Sequence, residues 1–235
     1  MPNSEIPTDA PISEEEKERL IAENLQRKLE LPVVKISLGC GLHWKTPFEE
    51  WINIDGLKND HTDLVCEFGS IPLPDKCADF LELGDTIEHI VPWRRDEILK
   101  EWFRIVKIGG KIRIGTPNFH RSMTQYTLHT LFGKLMPNGW LDITCKDSIG
   151  ETHSVKYHIM GSDVSPLEQA RRNIYAWGTN AYEQHYHLYT METLTEVLEQ
   201  FGFGDIDFSD SPPQELNDPR NSWWFSLTAT KLRNV

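Results

Sequence analysis

Basic residues are in short supply. The chain has 24 lysines and arginines against 36 aspartates and glutamates, a formal net charge of −12 over 235 residues. Proteins that grip nucleic acid neutralise its phosphates with a basic face. This balance speaks against a general nucleic-acid binder, and equally against attachment to an anionic membrane by charge. Long apolar runs are also missing; none approaches the roughly 20 residues that span a bilayer. The opening stretch, MPNSEIPTDAPISEEE, lacks the basic and apolar regions of a signal peptide. Cysteine is sparse and scattered: Cys40, Cys66, Cys77 and Cys145 form no CxxC pair. Free thiols in a reducing cytoplasm are the expectation. Internal repeats and low-complexity blocks are absent.

What is present is a globular balance of 39% hydrophobic and 26% charged residues. The length suits one large domain with added pieces. Residues 1–31 read as a tail and helix, and residues 32–235 as a single domain. Ser13 and Glu16 make a capping-box pattern, and Leu20, Ile21, Leu25 and Leu29 give the helix one apolar stripe. Short apolar runs then alternate with helical stretches. Strands are expected at Val33–Leu38, Trp51–Asp55, Asp63–Cys66, Asp79–Leu83 and Lys111–Ile114, with a helix over Trp93–Ile108. That rhythm predicts a mostly parallel α/β sheet. Residues 117–190 break it: they are rich in His, Tyr, Trp and Asn, and show no clear strand. Helices are expected there at Ser122–Leu135 and Pro166–Trp177. A helix at Met191–Phe201 and strands at Asp205–Phe208 and Trp223–Lys231 complete the pattern.

The most informative stretch is Ser37-Leu38-Gly39-Cys40-Gly41, directly after the first expected strand. Two glycines one residue apart let the backbone turn sharply and approach a ligand. In a doubly wound sheet this is where nucleotides bind, and an acid ending the next strand, here Asp55, can accept bonds from ribose hydroxyls. A dinucleotide fingerprint requires a third glycine for the pyrophosphate. That position is Trp44. A ribose-bearing ligand without phosphates fits better, and S-adenosylmethionine (SAM) is one.

Six blocks in order resemble the class I SAM-dependent methyltransferases, in particular the small bacterial-type group with an LGCG first motif. They are ISLGCG (36–41), INID (52–55), EFGSIPLPDKCAD (67–79), DTIEHI (85–90), IVKIGGKIRIGTPN (105–118), and LTEVLEQFGF (194–203) with FSLTATK (225–231). The resemblance implies a Rossmann-like three-layer sandwich: a seven-stranded, mostly parallel sheet with an antiparallel C-terminal strand. An N-terminal helix and a helical insert after strand five, residues 119–190, would be additions. It also implies SAM as cofactor. Gly39, Cys40 and Gly41 would lie against its adenosyl and methionine parts, and Asp55 would hold the ribose. Gly56 and Leu57 would flank the adenine, with Glu67 and the Phe68 amide reading its edge. Asp85 would lie near the amino end or the methyl group. Two departures stand out: Ser37 replaces an acid, and Glu67 replaces the more common Asp.

Methyl transfer needs no enzyme nucleophile, so Cys40 reads as a small residue beside the glycines. His89 could act as a base toward the acceptor, with Asp85 beside it; packing of the Glu88-His89 pair is the plainer alternative. No histidines fall in a recognised metal spacing, and no metal is expected. The insert follows strand five on the ligand side of such sheets, so residues 119–190 are expected to choose the acceptor. The expected reaction is in-line methyl transfer to an O- or N-acceptor on a small molecule or saccharide. An NAD-type oxidoreductase, or a noncatalytic SAM-binding partner subunit, stand as alternatives. The oligomeric state has no sequence signature.

Overall fold

The computed structural model describes residues 13–41, 50–119, 123, 140–146, 152–158, 184–208 and 224–234, with residues 140–146 and 152–158 described by their backbone. Helix α1 (Glu14–Leu29) starts where Ser13 Oγ accepts the Glu16 amide at 3.2 Å. Its apolar stripe is only half used: Leu25 and Leu29 pack on the core, while Leu20 and Ile21 face outward. The helix is fixed instead by a buried charge. Lys28 Nζ lies 2.7 Å from both carboxylate oxygens of Asp63, with neither side chain more than 3% exposed.

The strands are β1 (Lys35–Leu38), β2 (Trp51–Asp55), β3 (Leu64–Val65), β4 (Ala78–Gly84) and β5 (Val106–Pro117), followed by β8 (Phe203–Asp207) and β9 (Trp224–Lys231). They form one seven-stranded sheet in the order β3-β2-β1-β4-β5-β9-β8. The pairs from β3 to β5 are parallel, whereas β9 runs antiparallel to both β5 and β8. This is the expected Rossmann-like mixed sheet. Ile36, Leu38, Ile52, Ile54, Leu81, Leu83, Ile112, Ile114, Phe225 and Leu227 are all fully buried in it. Such continuous burial is what a sheet covered on both faces requires.

Helix α2 (Arg95–Arg104) is shorter than expected. Pro92 opens a separate turn at Pro92–Arg94, and β5 begins at Val106, three residues before the Gly109-Gly110 pair. Ile98, Leu99, Trp102 and Phe103 bury the inner face of α2. Phe103 stacks on Phe201 and Phe203, which tie it to α3 (Met191–Gln200) and β8. Buried Lys231 donates from Nζ to the carbonyls of Phe103 (2.7 Å) and Val106 (2.9 Å), satisfying two groups left over where α2 ends.

The insert corrects one expectation. It contains an antiparallel two-stranded ladder, β6 (Trp140–Lys146) with β7 (Thr152–His158), running from Trp140↔His158 to Lys146↔Thr152. Its polar alternation, as in Asp142-Ile143-Thr144, suits a ladder separate from the main sheet and leaves no apolar run to mark it. The helices expected at Ser122–Leu135 and Pro166–Trp177 lie outside the described residues.

Candidate functional site

The chain steps from β1 outward to β2 and β3, then returns past β1 to β4 and β5. The order reverses between β1 and β4, so their C-terminal ends flank the switch-point crevice of the sheet. Gly39-Cys40-Gly41 leaves β1 there. Gly39 (φ +72°) donates to the Ile54 carbonyl at 2.8 Å, and a Cβ on it would meet Thr86 Oγ1 at 2.4 Å. Only glycine serves both the backbone conformation and the close approach. Thr86 Oγ1 in turn shares its one proton between the Gly84 carbonyl at 2.9 Å and the Leu38 carbonyl at 3.2 Å, knitting the ends of β1 and β4 together.

Asp55, at the end of β2, organises the turn. Its Oδ2 accepts the Gly41 amide at 2.8 Å, and its Oδ1 accepts the Leu57 amide at 2.9 Å. Cys40 Sγ lies 3.9 Å from the same carboxylate. Burial, and next the Asp55 charge, push the Cys40 thiol up. A protonated thiol is a poor nucleophile, consistent with its reading as a small filler. Asn59 Nδ2 adds a bond to the Gly41 carbonyl at 3.2 Å. A Cβ built on Gly41 or on Gly56 meets nothing within 4 Å among the described residues. Leu57 is 58% exposed beside Gly56.

Glu67 stands further along, exposed and paired with Arg94, which also bonds Glu97. The Phe68 carbonyl accepts the Trp102 indole at 3.0 Å, which fixes that turn.

At the end of β4 the backbone turns through Asp85 (φ +45°), whose amide donates to the Gly115 carbonyl at 2.9 Å. Asp85 Oδ1 accepts the Trp224 indole Nε1 at 2.9 Å. The indole lies over Gly115, where a Cβ would meet Trp224 Cζ2 at 1.9 Å. Asp85 keeps an open side, yet sits low among protein atoms. Loss of solvent pushes its carboxyl up to about 6, against the pull of the Trp224 bond. Glu88, 1% exposed, is raised well above the usual carboxylate range, first by burial and then by Asp85. Its Oε2 accepts the Thr116 hydroxyl at 3.1 Å, while Oε1 has no hydrogen-bond partner among the described residues.

Residues 184–189 return beside this turn. The Tyr186 and His187 amides donate to the Glu88 carbonyl at 2.8 and 3.2 Å. His89 Nδ1 lies 3.1 Å from the Gln184 carbonyl, and the His89 and His185 rings meet edge-on with centroids 4.9 Å apart. Ligand atoms of Glu88, His89 and His185 lie within 4.8 Å of one another. A carbonyl only accepts, so His89 Nδ1 carries the proton and, in the neutral ring, Nε2 carries the lone pair.

The sequence-predicted residues therefore fall into two groups around one crevice. Gly39, Cys40, Gly41, Asp55, Gly56 and Leu57 form one wall, and Asp85 and His89 belong to the other. Glu67 and Phe68 lie beyond the end of β3. Sequence reading missed Thr86, Asn59 and Trp224, which hold the glycine turn and Asp85. The two glycines at 39 and 115 were the available signals, each marking a space that another side chain fills. A separate cavity of about 560 Å³, lined by Glu97, Arg104, Phe201 and Lys231 among others, includes none of the candidate site residues. Among the described residues no helix is long and apolar enough to cross a membrane.

No protein-family model and no curated protein matches the chain. Solved structures similar to it include a 1,6-didemethyltoxoflavin-N1-methyltransferase of Burkholderia thailandensis, bound to 1,6-didemethyltoxoflavin and S-adenosylhomocysteine. That likeness has 12% identity over 94% of this chain and 80% of that one, with a TM-score of 0.47. A SAM-dependent methyltransferase of Archaeoglobus fulgidus is similar at 16% identity over 91% and 94%, TM-score 0.46. A SAM-dependent methyltransferase of Thermotoga maritima, a possible histamine N-methyltransferase, is similar at 16% identity over 91% and 90%, TM-score 0.48. None of these likenesses reaches a TM-score of 0.5.

Proposed function

We propose that the chain is a SAM-dependent methyltransferase that delivers a methyl group in line to an oxygen or nitrogen acceptor on a small molecule or sugar. The observation that carries this is the glycine turn at the β1–β4 switch point, closed by the Asp55 carboxylate. Among the described residues the turn is tight, open on its outer side at Gly41 and Gly56, and closed by the Asp55 carboxylate. The cofactor supplies an activated methyl group on a cationic sulfonium.

The chain's part is binding and alignment. Asp55 holds the glycine turn and, with the lone pairs its two amide bonds leave over, accepts from ribose hydroxyls. Gly56 and Leu57 line the side where the adenine lies, and Glu67 and Phe68 stand at its edge. Asp85 is a carboxylate above about pH 6 and presents its charge to a cationic ligand. His89, whose Nδ1–H faces the Gln184 carbonyl, takes a proton on Nε2 from an acceptor O–H or N–H. The insert over residues 119–190 selects the acceptor.

Titration calorimetry with SAM and S-adenosylhomocysteine tests the cofactor reading. Binding tighter than about 1 mM is expected. Asp55→Ala should weaken it about 10- to 100-fold for each charge-assisted bond of roughly 1.5–3 kcal/mol removed, with the far-UV spectrum unchanged. Binding of neither ligand, or full binding by the variant, refutes the reading.

A further inference from the structure

We infer that Glu88, His89 and His185 form a binding site for one divalent transition-metal ion of the Zn²⁺, Mn²⁺ or Co²⁺ kind. Two imidazoles and a carboxylate are a donor set that such ions favour. The three ligand atoms already lie within 4.8 Å of one another. Around an ion with 2.0–2.2 Å bonds such atoms stand roughly 3–3.5 Å apart.

Three features favour a cation here. First, Glu88 is 1% exposed and its Oε1 has no hydrogen-bond partner among the described residues. A buried carboxyl oxygen without a donor is unfavourable, and a cation satisfies it directly. Oε2 is steadied by the Thr116 hydroxyl, as ligating carboxylates usually are. Second, the Gln184 carbonyl fixes the His89 tautomer from the rear and leaves the lone pair on Nε2. This is the outer-shell arrangement that prepares a histidine to ligate. Third, the Tyr186 and His187 amides clamp the Glu88 carbonyl, so the backbone itself holds His185 beside His89. His187 Nε2 and Tyr189 Oη, on the same segment, are two more buried polar atoms without hydrogen-bond partners among the described residues.

Three protein ligands leave at least one coordination position open. On the methyltransferase reading, on which this part alone rests, that position receives the acceptor's oxygen or nitrogen. An ion held there would lower the pKa of the acceptor's O–H or N–H, its proton passing to solvent, and would take over the part that His89 plays as a base in the metal-free chain.

The test uses the full chain, freed of any affinity tag and stripped with a chelator, titrated with Co²⁺ and followed by visible absorption. One Co²⁺ per chain is expected, displaced by Zn²⁺. His185→Ala lies on an extended, partly exposed segment and should fold. It should weaken binding by more than the roughly 10- to 100-fold that outer-shell partners contribute. Glu88→Gln should do the same while keeping the Thr116 contact, and a thermal midpoint raised by Zn²⁺ in the parent should not move in either variant. Absence of stoichiometric Co²⁺ binding, or binding retained by His185→Ala, overturns the site. No SAM is present in this assay, so a failed metal site and a failed cofactor reading give separate results.

Discussion

Replacing Lys28 by methionine should destabilise the fold more than any change on the outer face of α1. Lys28 Nζ bonds both oxygens of Asp63 at 2.7 Å. The same carboxylate accepts from Asn53 N at 2.8 Å and from Asn24 Nδ2 at 3.1 Å. Asp63 thus takes four donor contacts in a place where its side chain is 3% exposed. Methionine fills the space of the lysine stem but leaves the carboxylate with two donors and no cation. Breaking a buried pair in this way costs about 3–5 kcal/mol, a large part of the roughly 5–15 kcal/mol that holds a domain together. With a urea m-value of about 2 kcal/mol/M the midpoint should fall by about 1.5–2.5 M. The companion variant Lys28→Met with Asp63→Asn removes both charges and keeps an acceptor for the Asn53 amide. It should recover most of the loss, since neutral replacements of buried pairs are often well tolerated. Urea unfolding followed by far-UV circular dichroism decides. A single-variant loss under about 1 kcal/mol, or a double variant no more stable than the single, refutes the claim that a buried charge pair anchors α1.

Gly39→Ala combines a left-handed backbone with a clash at Thr86, so it should lose about 1–3 kcal/mol or more in urea unfolding and lose SAM binding in calorimetry; an unchanged midpoint sinks the packing argument. Trp224→Phe removes the bond that lowers Asp85, so carbon-detected NMR titration of the metal-free chain should place the Asp85 midpoint above about 6; a fall would contradict the assignment. Asp85 is raised in the folded state above an unfolded value of about 3.9. Its favourable contribution is present below that value and disappears as pH rises through about 6. Asp85→Asn should therefore be the more stable protein at pH 7.5 in urea, with the difference gone at pH 4, and the opposite trend would refute the direction of the shift.

Much of this architecture is legible in the chain because local chemistry repeats itself. β-Branched runs ending in glycine mark β1, and Trp51–Asp55 matches β2 residue for residue. Asp55 and the Gly39–Gly41 pair are visible because each sits at a strand end and the spacing between strands is short. What sequence cannot display is convergence from afar. Trp224 meets Asp85 across 139 residues, and Gln184 meets His89 across 95. Neither segment carries a periodic signal that names its partner. The Lys28–Asp63 pair was hidden for another reason: on a helix with five nearby acids, one more lysine looks like surface. The β6–β7 ladder escaped because its residues alternate in polarity instead of forming an apolar run.

The insert is fastened at its root. The chain leaves the sheet at Asn118 and returns at Tyr189, where the two residues form a parallel bridge and Phe119 N donates to the Tyr189 carbonyl at 3.1 Å. The entry and exit are thus stitched side by side before anything between them is specified. Closing a longer or shorter loop over a fixed pair of ends changes the entropy only slowly with length. Changes of length between residues 120 and 183 should on this ground cost the sheet and the glycine turn little. If the insert selects the acceptor of a methyl transfer, as proposed, recognition and delivery would be free to evolve on separate schedules.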